Sequence, residues 1–136
     1  MDQISVLLQG LPSFLAYFGA SIASLLVFCA IYLRITPHRE IALIKEGKVA
    51  PAIGFAGAVL GYVLPIASVI ANSLSLLDLI LWAVIALIVQ IAVFVTISMS
   101  FPGIVKQIAD DRAGAAIFVG TISLAAGILN AACMTW

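Results

Sequence analysis

Four long apolar runs, separated by short polar segments, dominate the chain. They cover roughly residues 11–35, 49–72, 76–101 and 113–136. Each run exceeds the ~20 residues that an α-helix needs to cross a hydrocarbon core about 30 Å thick. The runs are continuously apolar rather than alternating, and only helices or closed barrels satisfy their backbone hydrogen bonds in lipid. The pattern therefore predicts an all-α integral membrane protein with four transmembrane helices in a single domain, residues 1–136.

Composition supports lipid as the solvent. Of the 136 residues, 65% are hydrophobic and only 9% are charged, whereas a soluble domain is about half apolar and a quarter charged. A soluble fold of this length has too little interior to bury so much apolar surface. The formal net charge of zero gives no indication of a strongly basic face of the kind that binds nucleic acid.

All the basic residues fall in the two longer connections between the runs. Four lie in the first connection and two in the second: Arg34, Arg39, Lys45, Lys48, Lys106 and Arg112. The positive-inside rule then puts both connections in the cytoplasm and both chain ends outside. Aromatic residues at the other ends of the runs are expected to form an outer interfacial belt: Phe14, Tyr17, Trp82 and Trp136.

The two basic connections resemble each other. Thr36-Pro37 opens the first and Phe101-Pro102 opens the second, and proline suits the first turn of a helix. Apolar residues then recur at helical spacing, for example at Ile41 and Ile44 and again at Ile104 and Ile108. Each connection is therefore either a short amphipathic helix at the membrane interface or a solvated connector with helical character, and the sequence leaves both alternatives open.

The second half of the chain echoes the first. IKEGKVAPAI (residues 44–53) aligns with IADDRAGAAI (108–117), which pairs Ile44 with Ile108 and Lys48 with Arg112. Further along, small residues match better when the shift grows by two. We interpret this pattern as a helix hairpin used twice, in halves of about 11–72 and 76–136. Because corresponding spans run in the same direction, the two halves would form a parallel repeat.

Small residues recur every three or four positions in two of the spans. In the second span they are Ala50, Gly54, Gly57, Gly61 and Pro65. In the fourth span they are Ala116, Gly120, Ser123, Gly127 and Ala131. Each set lies on one helix face, and small residues mark places where membrane helices approach closely. The stripes are predicted to be a helix-packing interface, either within one chain or between subunits.

Few polar side chains fall within the spans. Gln90 lies near the middle of the third span, Asn130 in the outer half of the fourth, and Asn72 at the end of the second. Such amides usually form hydrogen bonds across a helix interface, and the alternative is that they line a pore or bind a substrate. Ser75-x-x-Asp78 resembles a capping box, so Asp78 either belongs to a helix cap or binds an ion or a substrate.

Enzyme chemistry has no visible basis in the sequence. His38 is the single histidine, and no cluster of His, Cys or carboxylate residues has metal-ligand spacing. Cys29 and Cys133 are expected near opposite membrane faces, too far apart for a disulfide. No Walker, zinc-protease or dinucleotide-binding motif is present. We therefore predict no catalytic, cofactor-binding or metal-binding residues and no cofactor.

Two segments resemble the YjfL-type family of small inner-membrane proteins, a domain of unknown function (350). They are GKVAPAIGFAGAVLGYVLPIASVIANSLSLLDLILWAVIALIVQ and AGAAIFVGTISLAAGILNAACMTW. The family often has Asn after the glycine that precedes the second span, where this chain has Lys48. The resemblance implies two similar helix pairs, a multi-pass location in the bacterial inner membrane, and association with envelope-stress genes of the phage-shock type. It implies no reaction, ligand or catalytic residue.

Two functional hypotheses follow from these observations. In the first, the protein is a non-enzymatic membrane protein that forms a homo-oligomer or scaffolds envelope-stress partners in the lipid bilayer. The small-residue stripes and the absence of charge within the spans favour it. In the second, it is a small channel or transporter for ions or a small solute, which Gln90 and Asn130 would serve.

Overall fold

A computed structural model describes residues 3–35, 40–72 and 75–134. It contains six helices: α1 (Gln3–Ile35), α2 (Glu40–Lys45), α3 (Val49–Asn72), α4 (Leu76–Ser100), α5 (Ile104–Ala109) and α6 (Ala113–Cys133). The expectations that concern Thr36-Pro37, His38, Arg39 and Trp136 fall outside the described residues.

The four long helices are the four spans predicted from the hydrophobic runs. α1, α3, α4 and α6 are each long and apolar enough to cross a membrane, and the described residues contain no strand. The all-α prediction is therefore confirmed. The main difference in boundaries is in α1, which begins at Gln3 rather than near residue 11 and continues through Pro12. The helix therefore includes eight residues before the start of the predicted run, and the hydrophobic run alone underestimates the length of α1.

α3 and α6 form the central pair of the bundle. α4 packs against both of these helices, whereas α1 packs against α3 and α4. The central helices run parallel, because Gly57 meets Gly120 and Gly61 meets Gly127 further along both helices. Their first turns are also linked, since the Ala50 amide donates a 2.8 Å hydrogen bond to a carboxylate oxygen of Asp111. Both basic connections therefore lie at the same end of the bundle.

Aromatic side chains fill the core where α1 meets α3 and α4. Phe28 stacks on Tyr62 with ring centroids 4.6 Å apart, and Tyr32 meets the edge of Phe94 at 5.2 Å. Phe28 and Tyr32 are the buried residues of α1. Offset and edge-to-face aromatic pairs add about 0.5–1.5 kcal/mol each beyond the area that they bury. These contacts hold the half of α1 that leads to the first connection.

The two connecting helices are packed differently. In α5, Ile104 and Ile108 are buried against α3 and α6 together with Ala116. In α2, by contrast, Ile41 is 43% exposed. The apolar face of α5 therefore contacts protein, an arrangement that differs from both alternatives derived from the sequence. Its isoleucines continue the bundle core into the connection.

The same turn follows both connecting helices. Gly47 has φ 87° and Asp111 has φ 64°, so both residues lie in the left-handed region. The amide of Lys48 bonds the Leu43 carbonyl at 3.1 Å, and that of Arg112 bonds the Gln107 carbonyl at 3.0 Å. This is the hydrogen-bond pattern of a Schellman helix end. The residues that form this turn after α2 are matched, in the sequence alignment of the two segments, with those that form it after α5. This correspondence supports the parallel repeat, which itself stays a prediction.

Candidate functional site

The centre of the α3–α6 contact is made by backbone touching backbone. A methyl group on Gly57 would place its carbon 2.7 Å from the carbonyl oxygen of Gly120. A methyl group on Gly127 would lie 2.6 Å from the Cα of Gly61. Real Cβ atoms do not approach other heavy atoms so closely, so the two helices can reach this separation only with glycine at these positions. Van der Waals contact of this kind is the main attraction between helices in lipid.

The other residues of the two stripes have more varied surroundings. Ala50 and Ala116 are fully buried at the connection end, Pro65 is fully buried in α3, and Ala131 is half-buried. Gly54 differs, because a methyl group there would meet only the side chain of Ile108, at 3.9 Å. The structure therefore brings glycines of both stripes together within one chain, while Gly54 faces the connecting helix α5.

Gln90 of α4 reaches into the α3–α6 contact. The residue is 2% exposed, and its side-chain Nε2 donates a 3.1 Å hydrogen bond to the backbone carbonyl of Ser123. The same nitrogen would lie 2.9 Å from a methyl group on Gly61. Ser123 is also buried. A glycine at position 61 thus makes room for the amide that ties the third span to the central pair.

The two other amides in the spans lie elsewhere. Asn72 is exposed and donates a 2.9 Å hydrogen bond to the Ser68 carbonyl of its own helix. Asn130 is half-buried, and its Nδ2 atom is enclosed without a hydrogen-bond partner. Of the three amides singled out from the sequence, only Gln90 joins the packing contact. The amides therefore do not converge on one polar site.

Some polar contacts were not predicted from the sequence. Asp111 bonds the amide of Ala50, and the hydroxyl of Tyr62 donates a 3.2 Å hydrogen bond to the Ala83 carbonyl. The repeat alignment pairs Asp111 with Gly47, a residue type suited to left-handed backbone, which signals the backbone conformation of Asp111 but not its bond to Ala50. Ser75, in contrast, behaves as the capping motif suggests, since its hydroxyl accepts a 3.1 Å bond from the Asp78 amide.

An open groove runs along the other face of the central pair. Its floor is formed by Gly57 and Gly120, and its walls by Ile53 and Leu60 of α3 and Ile117 and Leu124 of α6. The groove holds a volume of about 270 Å³. Leu60 and Ile117 are about half exposed, whereas Gln90 and Ser123 on the α4 side are buried. This groove is the candidate interaction site.

Chemically reactive groups are sparse in the described part of the chain. Within residues 3–35, 40–72 and 75–134, no three His, Cys, Asp or Glu residues are placed to hold a metal ion. Cys29 and Cys133 are both free thiols. The groove offers apolar walls, and Thr121 supplies its hydroxyl group. Such a surface can bind an apolar chain or pack against a helix.

The fold and the packing define a multi-pass integral membrane protein built on a glycine-mediated contact between two parallel helices. The chain belongs to the family described as Domain of Unknown Function (DUF350), which matches residues 6–134. It is 42% identical over 130 residues to the "UPF0719 inner membrane protein YjfL" of Escherichia coli K12, covering 96% of this chain and 98% of that protein. The protein of the same name from Escherichia coli O157:H7 matches equally well.

These relatives confirm both the family and the location expected from the sequence. The protein is a multi-pass inner-membrane protein of an uncharacterised family. No solved structure matches the chain significantly.

Proposed function

We propose that this protein is a non-enzymatic inner-membrane protein that self-associates through the open groove between α3 and α6. The observation that carries the proposal is the groove floor, where half-buried Gly57 and buried Gly120 present no side chain between taller apolar walls. In lipid, apolar surface alone does not drive helices together, whereas close backbone approach does. A groove with a glycine floor is therefore better suited to a helix than to disordered lipid tails.

The packing of α4 shows how a helix uses this pair. α4 contacts both α3 and α6 on one side, and Gln90 bonds the Ser123 backbone there. The opposite side has the same two helices and small residues at the same depth. We infer that a helix of a second copy occupies it, which would make the protein a homodimer or a larger oligomer.

The envelope-stress role is the broader part of this proposal. It rests on the resemblance noted from the sequence, which suggests envelope proteins as partners for an oligomeric scaffold. Orientation belongs to the same proposal: all six Lys and Arg residues of the chain lie in the two connections, so the end with α2 and α5 faces the cytoplasm.

The channel alternative depends on polar groups inside the bundle. Gln90 is engaged with the Ser123 carbonyl, so it acts as a packing contact in this chain. Asn130, with an enclosed Nδ2 atom that lacks a partner, is the residue that favours a solute path. Ion or solute flux through liposomes that contain the protein, abolished by Asn130→Leu, would favour this alternative over the scaffold.

Disulfide crosslinking in native membranes tests self-association through the groove. In a background with Cys29→Ala and Cys133→Ala, a cysteine at Thr121 in the groove should form a dimer, while one at Ala30, exposed on α1, should not. Ala56→Leu should abolish the dimer because the larger side chain fills the groove, and Ala30→Leu should leave it unchanged. A strictly monomeric protein, or equal crosslinking at both positions, would refute the proposal.

A further inference from the structure

The first helix is too long for the membrane that the other helices span. α1 has 33 residues, against 24 in α3, 25 in α4 and 21 in α6. At 1.5 Å per residue, α1 extends ~50 Å, while the hydrocarbon core is about 30 Å thick. A straight rod of that length would have to tilt by roughly 50° to fit, beyond the range of about 0–40° that transmembrane helices show.

Packing prevents α1 from tilting alone by so large an angle. Phe28 and Tyr32 are held in the aromatic core against α3 and α4. Tyr17, Ala20 and Leu25 also pack against that core. From Ser13 to Ile35 the helix therefore runs with the bundle, and this part has about the length of the other spans. The excess lies before Pro12, in the segment Gln3–Leu11.

The segment Gln3–Leu11 has an apolar stripe along one side of the helix. Ile4, Leu7, Leu8 and Leu11 follow the spacing i, i+3, i+4, i+7, which places them along one side of a helix. Ser5 and Gln9 lie on the opposite side together with Val6, and Gln3 lies at the edge of the stripe beside Leu7. The leucine side chains are exposed rather than packed against the bundle, and Leu7 is 73% exposed. Water is an unfavourable solvent for that face, and the hydrocarbon core is an unfavourable one for the two glutamines.

Pro12 supplies the place where the helix can bend. Proline has no amide hydrogen, so the carbonyl of Leu8 loses its partner four residues on. Gly10 and Ser13 flank it, and sharp helix kinks occur at proline and at Gly or Ser pairs. Bending here costs less than at any other point of α1, because one backbone hydrogen bond is already absent.

We propose that Gln3–Leu11 is an interfacial helix that lies on the membrane surface, joined at Pro12 to the spanning part of α1. Its partner is the boundary between phospholipid headgroups and acyl chains at the end of the bundle opposite α2 and α5. The apolar face sinks about 5–10 Å into that boundary. Because the segment contains no Lys or Arg, the contact depends on apolar burial and does not require anionic lipid.

Spin labels placed along the segment of the full-length protein test this arrangement. Single cysteines at positions 3–11, in the Cys29→Ala, Cys133→Ala background, would be labelled in phosphatidylcholine vesicles. Oxygen accessibility should peak at positions 4, 7, 8 and 11, and accessibility to a water-soluble nickel chelate should peak at positions 5 and 9. The same pattern should appear when part of the lipid is replaced by phosphatidylglycerol. A straight transmembrane rod would instead show depth changing steadily by ~1.5 Å per residue, and that result, or uniform exposure to the chelate, would overturn the proposal.

A distance measurement provides the second readout. Labels at Ile4 and Leu26, both exposed, are separated by ~33 Å along a continuous helix. A bend at Pro12 shortens that distance by several ångström, and Pro12→Ala should lengthen it toward the straight value. A distance of ~33 Å between the two labels of the otherwise unaltered protein, measured in phosphatidylcholine vesicles, would overturn the proposal. This readout does not depend on whether Pro12→Ala folds.

Discussion

Asp111 accepts a 2.8 Å hydrogen bond from the backbone amide of Ala50, a residue 61 positions earlier in the chain. Ala50 lies in the first turn of α3, where amides have no partner within the helix, and Pro51 has no amide to offer. Asp111 belongs to the turn between α5 and α6. Its carboxylate therefore caps the start of α3 from the other half of the protein, and it ties the two basic connections together.

Asp111 is also in a left-handed conformation that most side chains avoid, with φ 64°. This combination predicts an order among substitutions. Asp111→Asn should be mild, because asparagine tolerates this backbone and can still accept the hydrogen bond. Asp111→Ala should lower the free energy of unfolding by about 1–2 kcal/mol, since it loses the cap. Asp111→Gly should fall between them, because glycine relieves the backbone while losing the cap.

Reversible unfolding in mixed detergent micelles would measure this order. The control is Asp110→Ala, at the neighbouring acidic residue, because the Ala50 amide bonds the carboxylate of Asp111. Equal effects of Asp111→Asn and Asp111→Ala would contradict a capping role.

Two glycines of the same stripe should respond in opposite ways to alanine. Gly57→Ala would push a methyl group against the Gly120 backbone, so we expect a loss of about 1–3 kcal/mol in unfolding free energy from overpacking. Gly54→Ala has room beside Ile108 and should be neutral or stabilising, since alanine favours helix by about 1 kcal/mol over glycine. Thermal stability in lipid nanodiscs would compare the pair. Equal stability of Gly57→Ala and Gly54→Ala would contradict the close backbone contact between Gly57 and Gly120.

The side chain of Gln90 is expected to matter through its hydrogen bond rather than its volume. Gln90→Met keeps the length of the side chain and loses the bond to the Ser123 carbonyl. The expected cost is about 0.6–2 kcal/mol. Gln90→Glu should cost more, because a carboxylate next to a buried carbonyl oxygen leaves charge or an unpaired group in the core.

Thr96→Val is the matched control for Gln90, because Thr96 is exposed and bonds the Ala92 carbonyl of its own helix. Denaturant unfolding followed by tryptophan fluorescence would rank the three variants. A result in which Gln90→Met matches Thr96→Val would show that the amide contributes no net stability.

Both basic connections should face the cytoplasm. Single cysteines at Lys48 and Lys106 should resist a membrane-impermeant thiol reagent in intact spheroplasts and react after lysis. A cysteine at Leu77, which is exposed at the start of α4, should react before lysis. The physical reason is the positive-inside rule, together with the Ala50–Asp111 bond that holds the two connections at one end. Labelling at either lysine position before lysis would contradict the predicted orientation.

The four spans follow from the sequence because they depend on local properties. Length and continuous apolarity decide whether a segment crosses lipid, and backbone hydrogen bonds then force it to be helical. The spacing of Gly57 and Gly61 is local in the same sense, since positions three and four apart share a helix face. The family resemblance and the inner-membrane location could also be stated from the sequence.

The partners of those faces were decided only by the tertiary structure. Gly54 and Gly57 belong to one stripe, yet Gly54 faces Ile108 with space to spare while Gly57 touches the Gly120 backbone. Lipid tails and leucine side chains are equally apolar, so hydropathy says nothing about which helices meet. Shape and a few directional bonds make that choice. They pair α3 with α6, bring Gln90 to Ser123, and join Asp111 to Ala50 across 61 residues.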